Sequence, residues 1–221
     1  MEETKHALHP LVEASLDNVE ALVDSLADNE LLKNIPVVGT VTKIAQGIST
    51  IRDKIFIAKI AKFVDELEQV SGKEREKVKK KAAENPNEAR RVGETVLLVV
   101  ERANEMDKPG LIARLFIAYV DGVLDQEWFR RLALAVDQAF VEDLLYLSKI
   151  DNQTAEEGGG PLRYLQHSGL SEAVIRSGAG GLASAPTFIV SVMGRQFISA
   201  MHHAHLAQGE SASKASLATE G

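Results

Sequence analysis

Over residues 8–32 the apolar positions Val12, Leu16, Val19, Val23 and Leu26 recur at steps of four and three, which places them on one face of a helix. Glu13, Asp17, Glu20, Asp24 and Asp28 make the other face acidic. Asn34-Ile35-Pro36 then marks a second helix start, because proline in a first turn has no amide hydrogen bond to lose. At about 100° per residue, Val37, Val41, Ile44, Ile48 and Ile51 fall on one narrow stripe. The opposite face, Gly39, Thr40, Thr42, Lys43, Gln46, Gly47, Ser49 and Thr50, is small and carries charge only at Lys43. Past Ile51 the stripe jumps by about 120° to Phe56, Ile60, Phe63 and Leu67. That jump predicts either a break near residues 49–53, the preferred reading, or one helix over 35–67 that buries different faces.

Residues 71–91 are dominated by charge, with a turn expected at Asn85-Pro86-Asn87. Val92, Val96, Val99, Val100 and Ala103 predict a buried helix over 88–107, with Lys108-Pro109-Gly110 as its stop. Further helices are expected over 111–120 and 125–149, separated by an Asp121-Gly122 turn. Asp125 is the N-cap of the second, which carries Trp128, Leu132, Val136, Phe140 and Leu144. The Gly-rich stretch 151–160 reads as a linker. Beyond it the pattern becomes helix, Gly169-Leu170 terminus, short strand, Gly/Ala/Ser-rich loop, strand over 187–192 and helix over 194–206. Residues 207–221, small and polar, are expected to lack structure. The fold expected is therefore mainly α, a multi-helix body over 1–150 followed by a small α+β, winged-helix-like module over 161–206.

Composition narrows the function classes. The 221 residues are 45% apolar and 26% charged, enough for a sizeable core. A net charge of −7 argues against nucleic-acid binding by the chain as a whole. The absence of cysteine excludes disulfides, thiolate catalysis and thiolate zinc sites. The acidic N-terminus does not read as a secretory signal, and no window reaches the roughly 18 uncharged apolar residues that span a bilayer. The expected location is the cytoplasm of a bacterium, with peripheral attachment to the inner membrane allowed.

Three stretches resemble known families. STIRDKIFIAKIAKFV together with the block from Gly93 to Leu147 is similar to a family of uncharacterised bacterial helical proteins, a resemblance over roughly residues 34–150 that implies a link to mobile elements and phage-resistance loci, with a role in phage defence or stress response as the expectation. Ile117-Ala118-Tyr119-Val120-Asp121-Gly122, followed by Leu124 and Glu127, resembles the helix-turn-helix signature of tellurite-resistance TerB-like domains. YLQHSGLSEAV with TFIVSVMGRQFISAM resembles a winged-helix ending, in which a Thr/Ser-x-x-Gly-x-x-Phe helix follows the wing.

Candidate chemistry is sparse. Asp121, Asp125 and Glu127 offer oxygen ligands but lack the EF-hand spacing, so a capped interhelical turn is the simpler reading. His202, His203 and His205 lack a carboxylate at fixed spacing. The run Lys77, Lys79, Lys80, Lys81 is interleaved with Glu74, Glu76 and Glu84, as on a solvated face. No phosphate loop, nucleophile elbow or dinucleotide fingerprint is present. No enzymatic activity, cofactor or metal is expected. The candidate membrane- or partner-binding set is Val37, Val41, Lys43, Ile44, Ile48, Ile51, Arg52 and Lys54: an aliphatic stripe flanked by cations can lie in a lipid interface. The alternative is a core helix whose small face permits close packing. The acidic first helix is a candidate sheath for this segment. Partners expected are a membrane-surface lipid or a protein, with homo-oligomerisation left open. The competing function is a DNA-binding regulator whose module would use Arg163, Arg176 and Arg195.

Overall fold

The computed structural model describes residue 26 and residues 50–69, 72–175 and 185–218. Among these, the chain runs α1 (Ile51–Glu68), α2 (Gly72–Glu84), α3 (Pro86–Arg102), α4 (Lys108–Val120), α5 (Gln126–Gln138) and α6 (Val141–Leu147). It continues through β1 (Ala155–Glu157), α7 (Pro161–Leu165), β2 (Ser171–Val174), β3 (Thr187–Val190) and α8 (Val192–Ala218). The fold is mainly helical, with one small antiparallel sheet of order β1-β3-β2 near the C-terminus.

The helix at the centre is α4. Apolar on every side, it has to be surrounded to be stable, and it packs on α1, α8, α5, α2 and α3. Leu111, Ile112, Ala113, Leu115, Phe116, Ile117, Ala118 and Tyr119 are all buried. Phe116 meets Phe63 of α1 edge-on at 6.0 Å and Phe129 of α5 at 6.2 Å, geometries that aromatic quadrupoles favour. One apolar cluster runs from this centre through Leu162, Leu165, Leu170, Phe188 and Val190 to Phe197, so helices and sheet share a core.

Local chemistry sets the element ends. Thr50 is extended, its hydroxyl accepts from the Asp53 amide at 3.2 Å, and the Asp53 carboxylate accepts from the Thr50 amide at 3.0 Å. This capping box starts α1 inside the window where the apolar stripe changes phase. Lys108-Pro109-Gly110, read as a stop, instead opens α4. Proline ends one helix and suits the first turn of the next, and only tertiary contacts decide which role it plays. The helix expected over 125–149 is two, because Ala139 and Phe140 are extended and the Val141 amide is bonded by Glu105 Oε2 at 3.2 Å. Phe140 consequently leaves the apolar stripe for solvent. The expected linker contains β1, and α8 continues helical to Ala218, across the stretch expected to be unstructured.

The start of α8 is locked to the turn before β2. The Ser191 amide donates to Leu170 O at 3.2 Å and its hydroxyl to Gly169 O at 2.6 Å, while that same hydroxyl accepts from the Gly194 amide at 3.0 Å. Gly169, at φ 76, supplies the left-handed step. Gly194 lets the helix approach so closely that a Cβ there would lie 2.1 Å from Leu170 O, and Phe197 fills the core one turn on. Each position of Ser191-x-x-Gly194-x-x-Phe197 thus has a packing reason.

Candidate functional site

Of the candidate docking set, Val37, Val41, Lys43, Ile44 and Ile48 lie outside the described residues. Ile51, the first residue of α1, is 74% exposed, Arg52 is exposed and Lys54 is half-buried. From Phe56 onward the same helix buries its apolar face. Leu26, the sole described residue of the acidic segment, is helical and buried in the common core.

The polar centre of the body is Asp121, the C-cap of α4, whose side chain is 6% exposed. Its Oδ1 accepts from Lys77 Nζ of α2 at 2.7 Å and its Oδ2 pairs with His203 Nε2 of α8 at 2.7 Å. Burial pushes the Asp121 carboxyl up, but the hydrogen bonds and charges of Lys77 and His203 outweigh it and hold the group below the usual carboxylate range. An ionised carboxylate only accepts, so the imidazole donates. Beside this hub, Lys81 Nζ donates to Tyr119 O and lies 3.8 Å from the centre of that residue's ring. Burial pushes the Lys81 ammonium down, against the charges of Glu88 and Asp121. The Tyr119 hydroxyl donates to Glu88 Oε1 at 2.6 Å, and burial together with that contact pushes its ionisation far up.

This hub disperses the residues that sequence spacing had grouped. Asp125 caps α5 by accepting from the Trp128 amide at 2.8 Å, and Glu127 pairs with Arg131 at 2.6 Å, so neither joins Asp121 in a cation site. Among the described residues no group of three potential metal ligands occurs. The lysine run is also partnered: Lys79 with Glu76, Lys80 with Glu84, Lys77 with Asp121 and Lys81 with Tyr119. Of the residues assigned to nucleic acid, Arg163 is exposed on α7, Arg195 donates to Val190 O at 3.0 Å, and Arg176 lies outside the described residues. The chain significantly matches no family model, no curated protein and no solved structure.

Two further features escaped the sequence reading. Lys108, 1% exposed, has its ammonium bonded by Asn104 Oδ1 at 2.6 Å and Asp137 O at 2.9 Å, with Glu105 Oε1 at 3.3 Å. It staples the α3–α4 turn to the end of α5. A groove of about 420 Å³ separates α8 from the segment after α6, between Ile150, Asp151 and Asn152 on one side and Ile198, Ser199 and His202 on the other. His203 stands between this groove and Asp121. Neither feature has a sequence signal, because each joins residues far apart in the chain.

Proposed function

We propose that the chain is a non-enzymatic protein that docks on a membrane surface, or on a protein partner, through Val37, Val41, Ile44, Ile48 and Ile51. Lys43, Arg52 and Lys54 attract anionic headgroups, at about 1 kcal/mol for each cation near the surface. The observation that carries this reading is Ile51. A stripe belonging to the core would bury its last member, yet Ile51 is 74% exposed at the start of a helix whose apolar residues from Phe56 onward are buried. Burying such a side chain in lipid is worth about 1.5–3 kcal/mol. A role in phage defence, the setting that the family resemblance implies, or in stress response belongs to the same proposal. No helix among the described residues is long and apolar enough to cross a membrane.

Flotation with anionic vesicles is that test. Since Leu26 is buried in the core, the acidic segment is kept and its face neutralised as Asp17→Asn, Glu20→Gln and Asp24→Asn. Stronger vesicle binding by this variant, abolished by adding Ile44→Glu and Ile48→Glu, is the expected outcome. Equal and negligible flotation of all three proteins refutes lipid docking and moves the proposal to a protein partner.

A DNA-binding regulator is the second reading. The strand order β1-β3-β2, with a helix between the first two strands, favours a reduced winged helix. Its described basic complement is small, Arg163 and Arg195, and one to two phosphate contacts give a shallow salt dependence. A gel shift on genomic fragments across a salt series tests it, and no shift at low salt excludes it.

A further inference from the structure

We propose that the contact between His203 and Asp121 is a pH-sensed latch holding the second half of α8 on the helical body. Three helices meet at one nearly buried carboxylate, Lys77 of α2 on one oxygen and His203 of α8 on the other. The fully buried apolar positions of α8 end at Ala204, and Ala207 packs on the core only in part. Beyond Ala204, His205 and Leu206 are exposed, and Ala207 and Gln208 are half-buried. A second polar contact lies one turn further on, where Gln208 Nε2 donates to Glu66 Oε1 at 2.6 Å, an oxygen also held by Arg114 Nε at 2.7 Å. Of these contacts only the one through His203 involves a side chain of the type that changes charge between about pH 5 and 8.

Around this contact, His203 bonds Asp121 of α4, Lys77 of α2 holds the other oxygen of that carboxylate, and Asp151 and His202 line the same groove as His203, while Lys81 of α2 feels the charges of Asp121 and of Glu88 of α3. A charged imidazole against an ionised carboxylate holds a helix more strongly than a neutral one, so the ordinary chemistry of this side-chain type makes docking strongest at acid pH and weaker as pH rises. The lower limit is set by Asp121, which stays ionised to below the usual carboxylate range. Loosening this end of α8 widens the groove beside His203 and uncovers the last turn of α4.

Hydrogen–deuterium exchange of the full chain at about pH 6 and about pH 8, corrected for intrinsic rates, tests the latch. Peptides from the second half of α8 are expected to exchange about three- to tenfold faster at the higher pH, with those from β3 and the first turns of α4 unchanged. His203→Gln keeps a donor without a titrating charge and flattens the response. Asp121→Asn does the same, whereas His202→Gln and His205→Gln retain it. Equal exchange of the native chain at both pH values overturns the proposal, as does a response that survives His203→Gln or disappears in His202→Gln. The native chain alone can return the refuting result, so a variant that fails to fold does not shelter the proposal.

Discussion

Replacing Gly194 by alanine separates close backbone packing from helix propensity, because the two push stability in opposite directions. In an ordinary helix the change stabilises by up to about 1 kcal/mol. Here the new methyl would lie 2.1 Å from Leu170 O and 2.8 Å from a Val190 methyl carbon. Restoring normal contact requires α8 to retreat from the turn by roughly 1 Å. Retreat stretches the bonds from the Ser191 amide to Leu170 O and from its hydroxyl to Gly169 O, worth about 1 kcal/mol each. Overpacking adds about 1–3 kcal/mol. The clash therefore wins, and Gly194→Ala is expected to destabilise by about 2–4 kcal/mol, lowering the melting temperature by roughly 5–15 °C. Thermal and urea unfolding followed by circular dichroism measure this. A melting temperature equal to or above that of the native chain refutes the close approach of α8 to the turn.

Other substitutions test the remaining joints. Lys108→Ala leaves Asn104, Asp137 O and Glu105 without the ammonium they share, and is expected to cost about 3–5 kcal/mol by urea denaturation. Tyr119→Phe removes only the bond to Glu88 and should cost about 1–2 kcal/mol, with no change in helix content. Thr50→Ala deletes the cap that starts α1, at about 1 kcal/mol. Burial, reinforced by Glu142, Glu156 and Glu105, holds the Asp143 carboxyl above its ordinary value, so the folded chain binds this proton more tightly than the unfolded chain does. Measured against the neutral acid that asparagine mimics, its contribution is close to zero below the ordinary carboxylate range and becomes unfavourable as pH rises from that range through the raised value. Asp143→Asn should therefore raise the unfolding midpoint at neutral pH and leave it nearly unchanged at acid pH.

What could be read from the sequence was local. The α1 start follows from Thr50 and Asp53 three residues apart, the α5 start from Asp125, and the α8 start from the Ser191 hydroxyl that accepts from the Gly194 amide. Nearest neighbours make or favour each of these. The break after Ala139 was not legible, since the group that receives the Val141 amide is Glu105, on the far side of two helices. Lys108-Pro109-Gly110 was ambiguous for a related reason: its direction is decided by a lysine buried against Asp137. The hub at Asp121 joins residues 82 positions apart, and an aspartate before a glycine looks the same whether it caps a turn in solvent or anchors a lysine and a histidine. Docking through Val37 to Ile51 rests on periodicity and on one exposed isoleucine at the edge of the described residues.

Because the chain has no cysteine, Ile51→Cys provides a unique site for an environment-sensitive fluorophore at the end of that stripe. Titration with anionic vesicles, against the same label at Tyr164 on exposed α7, tests surface docking most directly. A saturating blue shift at residue 51, absent at residue 164 and reduced by salt, is the expected result. No shift at residue 51, or equal shifts at both positions, contradicts lipid docking through this stripe.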